Sequence, residues 1–232
     1  KTFTVAAAVD TGRADMNTMI DASKAYMIGN RAIKDFHATN RVLSLEEVYL
    51  HSSNIGTTQL AIGMGGDVMR DYFTRFGLLA KAPIELRESA RPIRPREWSD
   101  TTLASLSFGY GISITPAQMS AAMGALTNGG RYVPLSLRKG GAPNVEPRRV
   151  ISEQTSLTML DLMRRNVVNG SGTRADAPGL RVGGKTGSAN KLVNGRYQAS
   201  HAVGTFAAVF PTDGPINTRR YSILILMDEP QT

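Results

Sequence analysis

At 232 residues, 41% of them hydrophobic, the chain fits one large domain or two small ones and can fill a sizeable core. It has no cysteine, which excludes disulfides, thiolate–metal sites and a cysteine nucleophile, and its three histidines (His37, His51 and His201) lack metal-ligand spacing, so neither a metal nor another cofactor is expected. The net charge of +8 comes from scattered basic residues; with aromatics at 6% and no nucleic-acid motif, it suits an anionic polymer or lipid face rather than nucleic acid.

No run of about 18 apolar residues exists to span a membrane, and no signal peptide is visible. The chain starts at Lys1 inside one apolar segment and ends at Thr232 just after another, so both ends read as cuts through a longer protein.

Residues 1–11 (KTFTVAAAVDT) predict a helix with Gly12 as its stop. Residues 13–43 are polar and mixed and predict loop with short strands. Ser44-Leu45-Glu46-Glu47 is a capping box that opens a short helix to about His51, and another helix is predicted after Asn54, to Met64. Asp67 is expected to N-cap the next helix, with Gly77 as its stop. Residues 80–100 hold three prolines and read as an extended surface excursion. Thr115-Pro116-Ala117-Gln118 is a second capping box, and its helix ends at Asn128-Gly129-Gly130. Residues 131–150, with Pro134, Pro143 and Pro147 close to Gly140 and Gly141, are expected to be irregular. Ser152 opens a long helix over 153–168, stopped at Asn169-Gly170.

The period then becomes strand-like. Leu180–Asn190, His201–Phe210 and Tyr221–Asp228 predict strands, the last two an antiparallel pair. A helical part of about 1–170 followed by a sheet part of about 180–232 predicts an α+β fold with helices packed on an antiparallel sheet.

Three short features carry chemistry. Lys185-Thr186-Gly187 lies in GGKTGSAN; alone it could be an ordinary strand edge with a solvated lysine. Its glycines nevertheless bare the backbone to a ligand, and its lysine and threonine offer a positive charge and a hydroxyl to a carboxylate. Ser52-Ser53-Asn54 ends a short helix, an ordinary use of these residues, yet a hydroxyl and a carboxamide two positions apart can face one cleft. Lys1 heads an apolar helix whose first residue would face a cleft at the helix N-terminus.

The set resembles the S-x-x-K, S-x-N and K-T-G motifs of penicillin-binding proteins and serine β-lactamases. The second and third stand in order, with Asn54 and Lys185 131 residues apart, and Lys1 is similar to the lysine of the first. The runs SSNIGTTQLA, SFGYGISITPAQM, GGKTGSA and VGTFAAVFP resemble class B penicillin-binding proteins over essentially the whole chain, and SFGYG and ARPIRPREWSDTT resemble the division-specific branch. Ser188 replaces a threonine common in relatives and keeps the hydroxyl.

The resemblance implies a penicillin-binding, serine β-lactamase-like transpeptidase domain, partial over 1–232 and truncated at both ends. It lacks an upstream portion with the nucleophile serine, three residues before Lys1, and a C-terminal helix packed on the sheet. The implied activity is D,D-transpeptidation of peptidoglycan stem peptides through an acyl-enzyme that β-lactams trap, and this chain alone is expected to be inert. The implied catalytic residues are Lys1, Ser52, Asn54 and Lys185; Thr186, Gly187 and Ser188 would bind substrate, with Ser188 N–H an oxyanion donor. Tyr110 reads equally as a cleft wall near the acceptor side or as a loop aromatic packed on the core. The implied partners are a stem peptide, a lipid-linked precursor, β-lactams and divisome proteins. The implied location is the periplasmic side of the bacterial inner membrane, with the anchor outside this chain. A serine β-lactamase, or a non-enzymatic penicillin sensor or divisome scaffold, stays open as an alternative: turnover of a β-lactam would favour the first, and normal division with Lys185→Ala the second.

Overall fold

A computed structural model describes residues 1–139 and 146–230. Its centre is α1 (Thr2–Asp10), in which every residue from Thr2 to Ala8 is buried. A helix apolar on all sides belongs inside a core, and the small alanines let neighbours approach closely. Those neighbours are α3 (Asn54–Met64), α4 (Gly66–Arg75) and α7 (Glu153–Asn169). Asp10 ties the end of α1 to two of them, accepting from the Tyr72 hydroxyl at 2.7 Å, the Thr155 hydroxyl at 2.8 Å and the Ser152 N–H at 2.7 Å. Burial pushes this carboxyl up, but the bonds outweigh it and hold Asp10 below its ordinary value.

Between α1 and α3 lie two short antiparallel pairs, β1 (Met19–Asp21) with β4 (Val42–Ser44) and β2 (Tyr26–Ile28) with β3 (Arg31–Ile33). The Ser44 capping box forms as predicted and opens α2 (Leu45–Leu50). Glu47 within it is also held by Arg41 at 2.7 Å.

The expected start of α4 needs correction. Its N-cap is Gly65, at φ 84°, and Asp67 sits inside the first turn. The chain passes from α3 into α4 without a loop, so the helix begins before Asp67 can cap it. Asp67 there faces the positive end of the helix dipole and pairs with Arg70 at 3.1 Å. Residues 80–99 form the surface excursion, broken only by a single bridge from Ile93 to Ser113. The helix α5 (Asp100–Ser107) that follows was not anticipated; it packs on α3.

The second capping box opens α6 (Pro116–Thr127). Part of the segment expected to be irregular is a two-residue ladder, β5 (Arg131–Tyr132) with β6 (Arg148–Arg149), while Gly140, Gly141 and Pro143 lie outside the described residues. α7 runs as predicted from its Ser152 cap.

The main sheet is antiparallel, in the order β7 (Gly183–Val193), β8 (Arg196–Phe210), β9 (Tyr221–Asp228). β7 starts three residues later than predicted, and β7 and β8 run on to a shared turn. Asn194 and Gly195, at φ 51° and 76°, form a two-residue hairpin turn with Val193 opposite Arg196. α7 packs on β7, and Val209 and Ala207 of β8 join the helical core. β9 stays open: Ile223, Ile225, Leu226 and Met227 are about half exposed. Among the described residues no helix is long and apolar enough to cross a membrane.

Candidate active site

The helical wall of the site is made by helix beginnings. Lys1 stands just before α1, its carbonyl accepting from Val5 N–H, and its ammonium lies 5.9 Å from the centre of the Phe108 ring. Burial lowers the Lys1 amine to about 8, against the opposing pull of Asp35. Asp35 comes from the β3–β4 connection and caps α3, accepting from the backbone N–H groups of Asn54 and Ile55 and from the Ser53 hydroxyl at 2.8 Å. Ser53 is buried and is itself the N-cap of α3. The middle residue of Ser52-Ser53-Asn54 is thus structural, and its two neighbours are left partly exposed. Asn54 Nδ2 donates to the Lys34 carbonyl at 3.0 Å. Ser52 sits at φ 56°, a left-handed conformation uncommon for a side-chain-bearing residue, and its hydroxyl bonds to no other described residue.

The strand wall is built on β7. Lys185 is only 6% exposed and donates to the Ser171 hydroxyl at 3.1 Å. Its ammonium lies 5.8 Å from the centre of the Tyr49 ring. Burial, and then the charge of Lys1, lower Lys185 to about 7. Tyr49 links the walls: its hydroxyl is 3.3 Å from that of Thr2, and its carbonyl accepts from Ser52 N–H at 3.2 Å. Burial pushes its phenol up, so it stays neutral. Lys1 and Lys185 therefore meet electrostatically, and Ser52 hangs from the residue that faces Lys185. No side-chain bond joins Ser52 or Asn54 to either lysine among the described residues.

β7 is an edge strand, and its bonds show which way its backbone points. Backbone groups alternate sides along a strand, so residues two apart point the same way. Asn190 N–H donates away from β8, to the Tyr110 hydroxyl at 3.1 Å, and the Gly184 carbonyl accepts from Asn166 Nδ2 at 2.8 Å. Both are even-numbered positions, so the N–H groups of Thr186 and Ser188 point to the same unpaired edge. On the other side, the Gly187 carbonyl accepts from Thr205 of β8 at 3.3 Å, and a Cβ at Gly187 would collide with that threonine hydroxyl. The open edge is bounded by Asn166 at one end and Tyr110 at the other. Tyr110 packs edge-to-face on Tyr197, with ring centres 5.0 Å apart, so this aromatic lies against the β7–β8 hairpin at one end of the open edge.

Four participants escaped the sequence reading: Asp35, Tyr49, Asn166 and Ser171. Only Ser171 carried a local signal, a hydroxyl residue between Gly170 and Gly172 immediately after a helix stop.

A family profile described as the penicillin binding protein transpeptidase domain matches residues 1–231. The chain is 52% identical over its full length to the probable peptidoglycan D,D-transpeptidase FtsI of Caulobacter vibrioides and 32% identical to the peptidoglycan D,D-transpeptidase FtsI of Escherichia coli K12, covering 40% and 39% of those proteins. It thus spans about two fifths of the length of these curated relatives. Among solved structures it resembles the apo transpeptidase domain of Burkholderia pseudomallei penicillin-binding protein 3, with TM-score 0.88, 28% identity, and 99% of this chain and 70% of that one covered. It also resembles penicillin-binding protein 3 of Mycobacterium tuberculosis complexed with aztreonam, with TM-score 0.87, 27% identity, and 99% and 55% covered. The chain belongs to the penicillin-binding protein transpeptidase domain family, on its class B, division-specific branch.

Proposed function

We propose that residues 1–232 are the base-bearing and substrate-binding part of a serine D,D-transpeptidase that cross-links peptidoglycan stem peptides. The helical part, about 1–170, and the sheet part, about 180–232, each supply one wall of the cleft. The observation that carries this reading is the pair of lysines, Lys1 half-buried and Lys185 buried, lowered to about 8 and about 7 beside an unpaired strand edge.

In this reading, the nucleophile is a serine three residues before Lys1 in the longer protein. Neutral Lys1 takes the serine proton as its oxygen attacks the penultimate D-alanine carbonyl. The N–H groups of Ser188 and of the serine itself hold the oxyanion. Ser52 passes the proton to the leaving nitrogen, the peptide bond breaks, terminal D-alanine departs as a free amine, and an ester remains. An acceptor amine then attacks the ester, loses its proton to the same groups and returns the serine. Asn54 would orient the donor amide. Lys185, Thr186 and Ser188 would bind the terminal carboxylate, and the Gly187 backbone would lie along the donor. A β-lactam would enter as a mimic of the donor and stay as a stable ester.

The two lysines work as a unit. With both protonated there is no base, and with both neutral there is no cation for the carboxylate, so the competent form holds one proton on Lys185; in the free pair that proton rests more on Lys1, at about 8, than on Lys185, at about 7, and the incoming carboxylate draws it to Lys185. Acylation should therefore follow a bell-shaped pH profile with its maximum between about 7 and 8. Membrane anchoring, a periplasmic location, a lipid-linked precursor and divisome partners belong to the longer protein in this proposal. The test is reaction of that protein with fluorescent penicillin across pH: a stable adduct with a bell-shaped rate supports it. Rapid turnover without an adduct points to a β-lactamase, and no reaction at all points to a scaffold.

A further inference from the structure

One cluster of polar groups lies behind the strand wall. Asn166, on the last turn of α7, is fully buried. Its Nδ2 donates to the Gly184 carbonyl at 2.8 Å, while its Oδ1 accepts from Ser171 N–H at 3.2 Å and from the Ser171 hydroxyl at 3.1 Å. These partners fix the amide: a flip would set a carbonyl against the Gly184 carbonyl and an NH₂ against the Ser171 N–H. The Ser171 hydrogen is thereby committed to Asn166, and its two lone pairs face the strand. One accepts from Lys185 at 3.1 Å, the other from the Thr186 hydroxyl at 2.8 Å. A hydroxyl has one donor and two acceptor positions, and here all three are filled.

The turn is shaped for this contact. A Cβ on Gly170 would lie 2.5 Å from Asn166 Oδ1, and one on Gly172 3.2 Å from Asn166 Nδ2. Glycine at both positions lets the backbone wrap the Asn166 side chain and bring Ser171 round to β7. Ser171 itself is exposed, so it is not needed to fill a core.

We infer that Asn166 and Ser171 form a positioning relay that holds the Lys185 ammonium and the Thr186 hydroxyl in place before a ligand arrives, with Ser171 an acceptor aimed at the Lys185 ammonium. Ligand capture is then an exchange: the Thr186 hydroxyl turns from Ser171 to an incoming carboxylate, and Ser171 stays on Lys185. This inference rests on the transpeptidase reading above for the identity of the ligand.

Among the described residues, the charged or titratable groups facing Lys185 are Lys1, at the start of α1, and Tyr49, on α2. Ser171 is an uncharged acceptor that favours the protonated lysine. Its loss should lower Lys185 further, move the acid limb of the acylation profile to lower pH and shift the single proton still more towards Lys1, which then cannot act as base.

The experiment measures the second-order rate of acylation by fluorescent penicillin, from pH 5.5 to 9.5, in the full-length protein and its variants. Ser171→Ala should lower the maximum about tenfold and move the acid limb down, while Ser171→Thr, which keeps the hydroxyl, restores both. An unchanged profile and rate in Ser171→Ala would overturn the relay. So would a lower rate with an unmoved limb, since a merely structural role predicts that pattern. Lys185→Ala run in parallel separates the two claims: if it acylates like the parent, the site reading fails, whatever Ser171 does.

Discussion

The two walls of the cleft are held in different ways. The helical wall is held by helix termini: Lys1 precedes α1, and Ser52 and Asn54 flank the Ser53 cap of α3, which Asp35 reinforces. The strand wall is held by distant side chains: Asn166, Ser171, Tyr110 and Thr205 together fix where the even and odd residues of β7 point. Apart from Asp35, which reaches α3 from 18 to 20 positions away, the caps act over three or four residues, whereas the strand contacts join residues 14 to 80 positions apart. The site therefore joins a wall built mainly from helix ends to one that forms only when the helices and the sheet have met.

The largest expected effect breaks the helical wall at its base. Lys1→Met in the longer protein should lower the acylation rate on the order of a thousandfold, without loss of fold by circular dichroism. Lys185→Met should cost on the order of a hundredfold by removing the carboxylate's cation, and it leaves Lys1, at about 8, as the one lysine of the pair that titrates. Titrating acylation in that variant checks the sign: its acid limb should lie at higher pH than in the parent.

Asp35→Asn tests whether the cap also tunes the base. Its negative charge raises Lys1, so removing it should lower Lys1 further and move the acylation profile to lower pH. Asparagine still accepts hydrogen bonds, so the cost in stability should stay below about 1 kcal/mol. A profile that does not move would separate capping from catalysis at this residue.

The smallest effect lies away from the cleft. Glu47 is held at about 2, below its ordinary 4.5, by the Arg41 guanidinium and the Ser44 N–H. The stability it adds is present above 4.5 and is lost as pH falls towards 2. The small drop in Tm caused by Glu47→Gln should therefore be present at pH 7 and vanish near pH 2. A drop of equal size at both would mean that the capping box contributes packing and not charge.

What was legible follows the same division. The capping boxes at Ser44 and Thr115 and the helix stop after α7 were readable because a cap is a local pattern of donors and acceptors. Asp67 misled because a good capping residue loses to a glycine when two helices abut at Gly65. α5 was missed between a proline-rich stretch and a glycine-rich one; its burial against α3 outweighs its weak local preference. The Asn194-Gly195 turn was there to be read, and the strand limits would have followed from it. In the candidate site, Lys1, Ser52, Asn54 and Lys185 were singled out through motif order. Asn166 and Tyr110 act through partners 18 and 80 residues away, and no local pattern announces such a bond.

The most direct test of the account is to find where penicillin attaches. The full-length protein is labelled with fluorescent penicillin, digested, and its adduct located by mass. The account predicts one ester, on a serine three residues before Lys1, and none on Ser52, Ser171 or Ser188. An adduct on any of those three, or a protein that accepts no label between pH 7 and 8, would contradict it.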